Sequence, residues 1–176
     1  MQTDPKKRAI LSFAQAEDMH SQIAESAANT AKWLVEQKND PMSLLRAMRF
    51  DPVGHDPLTG EPLNIVEQLN QTFTILVTLR AIERLFELHP DAGGYHLALG
   101  TSSGRDIESV KEGLVAAEAF SATSPASNQK LKKDLMRLET DPAQHRYVFF
   151  CCPGYSAGRQ PKLETISGIQ VHAVDQ

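Results

Sequence analysis

The stretch from Gly104 to Asp134, GRDIESVKEGLVAAEAFSATSPASNQKLKKD, decides how this chain reads. Asp106 follows a glycine turn, and Glu118 sits inside VAAEAFSA, where every neighbour favours burial. Lys111-Glu112-Gly113 fits a three-residue hairpin loop with glycine at the left-handed position. That loop pairs Val110 with Leu114, Glu108 with Ala116 and Asp106 with Glu118. Two carboxylates would then stand directly cross-strand, with Cβ atoms roughly 4.5–5.5 Å apart. Like charges so placed repel, more so when half buried. A divalent cation gives a reason for the arrangement, because paired hard oxygen ligands on short, rigid elements suit Mg²⁺. Each residue also has a plainer role open to it: Asp106 as a turn cap, Glu118 as the partner of a lysine on the next helix.

Working outward, Tyr95 to Leu99, Asp106 to Val110 and Leu114 to Ala122 read as three strands. Ser124 to Ser127 reads as a loop. Asn128 is placed to cap a helix with the apolar stripe Leu131, Leu135 and Leu138. Arg146 to Cys152, RYVFFCC, is apolar on both faces, as a central strand covered on both sides should be. A last strand fits Ile166 to Val174. Upstream, Leu63 to Leu88 is the strongest helix, with Val66, Leu69, Phe73, Leu76, Leu79, Ile82 and Phe86 at helical spacing. Glu67, Asn70, Gln71, Thr74 and Thr78 form a polar stripe beside them.

Residues 1–50 read as a helical extension, with helices over about Pro5 to Gln37 and Pro41 to Arg49, the second capped by Asp40. Residues 51–62 are turn chemistry and read as a loop, and 63–176 as an α/β core of four to five strands flanked by helices. The 176 residues carry 41% hydrophobic and 23% charged side chains and a net charge of −4. That balance gives no general pull toward nucleic acid or membrane, so any anion site must be local. There is no apolar run of membrane-span length and no apolar signal core after MQTDPKKRAIL. Cys151 and Cys152 are the only cysteines and are adjacent, which points to buried thiols and a reducing, cytoplasmic setting.

The order helix, three-strand meander, helix, strand, with GRD at Asp106 and AAEAF at Glu118, resembles the core of the PD-(D/E)XK nuclease superfamily, the restriction-endonuclease-like fold. The resemblance covers about Leu63 to Cys152. It implies that Asp106 and Glu118 bind Mg²⁺ or Mn²⁺ and that a nearby lysine assists the attacking water. Arg105 stands where the motif proline would be, and Phe120 where the motif lysine would be. Some members carry that lysine on the following helix, which offers Lys130 first and Lys133 second, one turn apart on one face. A solvated helix face is the other reading of these lysines. The first core helix of the superfamily often adds an acidic residue, here Glu67, with Gln71 beside it. Asn64 and Glu67 equally suit a capping box.

The resemblance implies metal-dependent phosphodiester hydrolysis, with DNA as substrate. Arg105, Ser103, Lys111 and Asn128 are the candidates for contacting the nucleic acid. The alternative is a catalytically inactive nuclease-fold protein acting as a binding or regulatory module, which the absent motif lysine and the acidic balance favour. The loose apolar stripe of the N-terminal helices, and the two sites needed to cut a duplex, lead us to expect a homodimer.

Overall fold

The computed structural model describes residues 7–38, 40–98 and 104–175, and Ser103 lies outside them. The chain divides into two compact units. One unit comprises residues 1–16 and 77–176, and the other Glu17–Leu76.

The first unit is a mixed sheet covered by helices. Among the described residues its strands are β1 (Lys7–Ile10), β4 (Tyr95–Ala98), β5 (Ile107–Ser109), β6 (Val115–Ser121), β7 (His145–Cys151), β8 (Gly158–Arg159) and β9 (Ile169–Ala173). The sheet order is β1-β4-β5-β6-β7-β9-β8. β1, β4, β5 and β6 run antiparallel in succession, and β8 is antiparallel to β9. β6–β7 and β7–β9 are parallel. Helix α4 (Lys130–Glu139) provides the crossover from β6 to β7, as a parallel pair requires.

β7 explains why its sequence lacks alternation. Val148 and Phe150 join Leu135 and Leu138 of α4 in one buried cluster. Tyr147 points the other way, its hydroxyl 2.8 Å from His89 Nε2, just past helix α3 (Ile65–Leu88). On that side Val77, Leu79, Ala81, Ile82 and Leu85 of α3 are buried, and Tyr95 donates its hydroxyl to the Leu85 carbonyl at 2.8 Å. Cys152 is buried, which pushes its thiol up in pKa and makes it a poor nucleophile. Among the described residues, no helix is long and apolar enough to cross a membrane.

In the second unit, Asp40 caps α2 (Pro41–Phe50) by accepting from the Met42 and Ser43 amides. β2 (Gly54–His55) and β3 (Pro62–Leu63) form a short antiparallel hairpin.

Three expectations need correction. The N-terminal stretch read as helical begins with β1, and helix α1 starts only at Phe13 (Phe13–Glu36). KRAI is too short to show a period of its own; its pairing with β4 makes it a strand. With β1 and β8 added, the sheet has seven strands among the described residues rather than four to five. The buried stripe of α3 is also displaced, because Leu69 and Phe73 are exposed while Gln68 and Thr78 are buried. Gln68 turns inward because its amide accepts from the His55 N–H and donates to Ser26 Oγ, each at 3.1 Å. It therefore ties α1, α3 and the hairpin of this unit together.

Candidate active site

The hairpin register places the two acidic residues together. Ile107 pairs with Ala117 and Glu108 with Ala116, so Asp106 comes opposite Glu118 one step further on. Gly113 has φ +72°, the left-handed conformation that the three-residue loop needs. Asp106 fixes its own position by accepting from the Ala119 N–H at 2.9 Å.

Glu118 is wholly buried in an apolar strand. Burial, and then the neighbouring Asp106 charge, push its carboxyl up to about 8, although Arg137 pulls the other way. Near neutral pH the Glu118 carboxyl is therefore held in its protonated form beside Asp106. Arg137 Nη1 donates to Glu118 Oε2 at 2.8 Å, while Oε1 has no hydrogen-bond partner among the described residues.

Helix α4 adds a second buried acid. Asp134 is wholly buried, accepts from Lys130 Nζ at 2.7 Å, and has Oδ2 without a partner among the described residues. Burial raises its pKa, and the Lys130 ammonium opposes the rise. Lys130 Nζ also lies 5.9 Å from the Phe120 ring centroid. Lys130, Asp134 and Arg137 fall at i, i+4 and i+7, a single stripe next to the apolar stripe of the same helix. The site is thus three buried or half-buried acids beneath two cations that reach solvent, the Arg137 and Lys130 side chains being 53% and 36% exposed. Asp134 and Arg137 were not singled out in the sequence. The charge stripe beside Leu131, Leu135 and Leu138 was the signal that could have found them.

The other expected site residues are dispersed. Lys133 is exposed and makes no ion pair among the described residues. Glu67 lies exposed in the second unit, where Asn64 Oδ1 accepts the Glu67 N–H at 2.9 Å and closes the helix start as a cap does. Gln71 follows on the same helix, half-buried. Arg105 is held by Asp141 and lies 3.7 Å from Glu108. Lys111 pairs with Asp91 at 2.8 Å on the surface. Asn128 does not cap α4. It takes φ 52°, Gln129 follows at φ 56°, and the helix starts at Lys130 without a side-chain cap.

Among the described residues, no group of three or more His, Cys, Asp or Glu is arranged to hold a metal ion. A cation at this site would therefore rest on Asp106 and Glu118, with water completing its shell, a mode that Mg²⁺ commonly accepts. No protein-family model matches the chain, and neither a curated protein nor a solved structure does.

Proposed function

We propose that the chain is a metal-dependent nuclease that hydrolyses phosphodiester bonds in DNA, built on a restriction-endonuclease-like core from α3 through β7. The observation that carries this reading is the cross-strand pair Asp106 and Glu118, set opposite each other by the hairpin register with Glu118 wholly buried. Two carboxyl groups set side by side can hold a divalent cation once the proton on Glu118 leaves. Mg²⁺ or Mn²⁺ would supply a nucleophilic water and a counter-charge for the phosphate. The chain's own contribution is positional. Asp106 is fixed by the Ala119 amide, and Arg137 and Lys130 present positive charge at the rim, where a phosphate would approach. Lys130 supports the idea of a relocated lysine, because its ammonium lies over Phe120, the residue in the motif lysine's place.

One observation favours the second reading, a binding or regulatory module without catalysis. Arg137 is already hydrogen-bonded to Glu118, and Arg105 and Lys111 are engaged in ion pairs, so among the described residues these three are not free to face a polyanion. Plasmid nicking with Mn²⁺ or Mg²⁺ separates the two. The nuclease reading expects cleavage that Asp106→Ala and Glu118→Ala each abolish in folded protein. No cleavage by the unaltered chain, together with no Mn²⁺ binding by calorimetry, overturns it.

A further inference from the structure

A second cavity, of about 590 Å³, opens on the flank of α4 away from Lys130, Asp134 and Arg137. Its floor is Leu131, Leu135, Leu163 and Tyr155, continuous with the core cluster below. The Tyr155 ring stands edge-on to Phe150 at 5.1 Å. Two lysines, Lys132 and Lys162, are the charged residues in its lining, beside Ser124, Gln129 and Thr165. No carboxylate lines it among the described residues, although the chain as a whole carries −4. Neither lysine makes an ion pair among the described residues. The size is that of a small-molecule site, and the combination of an apolar floor with a few placed charges is how such sites select.

The backbone beside the cavity is also unusual. Gln129, part of the lining, has φ 56°, and Asn128 before it has φ 52°. Two successive non-glycine residues in the left-handed region are strained, and such strain gathers at switch and clamp points. The strained pair leads directly into α4. The helix therefore has two working flanks. One carries the cations and Asp134 of the acidic site; the other forms a wall of the cavity.

We infer that this cavity takes an amphiphilic anion, an apolar body with one carboxylate or phosphate held by Lys132 and Lys162, and that its occupant regulates the acidic site through α4. The apolar body covers Leu131, Leu135 and Tyr155, and the anionic head replaces solvent around the two ammonium groups. A ligand fixed there selects one position of α4, and with it one placement of Lys130, Asp134 and Arg137. The binding half stands without the nuclease reading; the regulatory half concerns the site on which that reading rests.

The test uses the full chain, with monomeric dodecanoate as probe and dodecyltrimethylammonium as a control of the same tail and opposite charge. Calorimetry should show saturable binding of dodecanoate and none of the cation. Lys132→Ala with Lys162→Ala should weaken dodecanoate about tenfold or more, and Lys133→Ala, which alters a lysine outside the lining, should not. Equal binding of both tails, or indifference to the two lysines, overturns the anion site. In parallel, the side-chain Nε–H NMR signal of Arg137, which joins the other flank of α4 to Glu118, should move when dodecanoate is bound. Binding without that movement refutes the regulation. These readouts need neither metal nor cleavage, so their failure is distinct from failure of the nuclease reading.

Discussion

Replacing Glu118 by glutamine should make the protein more stable, and by an amount that depends on pH. Glu118 titrates near 4.5 in the unfolded chain and at about 8 in the fold. Between those values the folded state keeps a proton that the unfolded state has lost. Stability therefore falls as pH rises through this window and levels off above about 8. Glutamine is neutral in both states and escapes the fall. Each pH unit is worth about 1.36 kcal/mol, so the full gap is about 3 kcal/mol near pH 7 and about 1 kcal/mol near pH 5. Arg137 keeps an acceptor in the glutamine amide oxygen, and its side chain is 53% exposed, so water covers what the weaker contact leaves. A net gain of about 2 kcal/mol near neutrality remains, or about 4–8 °C in melting temperature for a chain of this size. Thermal unfolding of Glu118→Gln and the unaltered chain in metal-free buffer, from mildly acidic to mildly basic pH, measures it. A variant less stable than the parent, or a gap that does not change with pH, would refute the reasoning and make Glu118 a structural carboxylate.

Removing Arg137 takes away the one neighbour that pulls Glu118 down, so Arg137→Ala should move the Glu118 midpoint further up. Carboxyl-carbon NMR reads this directly, and an unmoved midpoint would mean that the ion pair is not formed in solution. Lys130→Ala should cost the cleavage step about 2–4 kcal/mol of transition-state stabilisation, whereas Lys132→Ala, on the other flank of α4, should cost almost nothing. Equal small effects in single-turnover nicking would remove Lys130 from the chemistry. Divalent-ion binding should strengthen and release a proton as pH rises toward about 8, because the ion must displace the proton on Glu118; calorimetry in buffers of different ionisation heat would detect a pH-independent affinity, which contradicts this. Light scattering should report a dimer, and a monomer at high concentration would remove the two-site argument.

The register that brings Asp106 to Glu118 was legible because one glycine fixes it. A three-residue loop with a left-handed last position leaves a single antiparallel pairing, and Gly113 supplies it. β7 was legible because a strand buried on both faces needs no alternation. β1 was not legible, since four residues beside a charged N-terminal run carry no periodicity that separates strand from helix. Asn128 misled for a related reason: asparagine suits both a helix cap and a left-handed turn, and the sequence does not say which. Gln68 was hidden because apolarity was used to choose the inward face of α3, yet an amide with two partners buries as well as a leucine. Arg137 was hidden by distance, since it acts on a residue nineteen positions earlier and only the packing of α4 on β6 brings them together.

Folding alone gives no reason for these acids. Apart from Glu118, every residue from Val115 to Phe120 is apolar and buried, and another apolar residue there would pack without a charge to satisfy. Replacing a buried ion pair with well-packed apolar side chains is often neutral or stabilising. Here the compensation is incomplete as well. Among the described residues, Glu118 Oε1 and Asp134 Oδ2 are buried without hydrogen-bond partners, and both carboxyls are held above their ordinary range. Two wholly buried acids with an open acceptor each, set against a third acid and capped by cations that reach solvent, form a site that is poorly served by the protein itself. Under the nuclease reading, a divalent cation on Asp106 and Glu118 would satisfy Glu118 Oε1, and Arg137 would then be released toward a phosphate. The instability stored in Glu118 and the chemistry assigned to it thus have the same physical origin, and the glutamine substitution should relieve the first while removing the second.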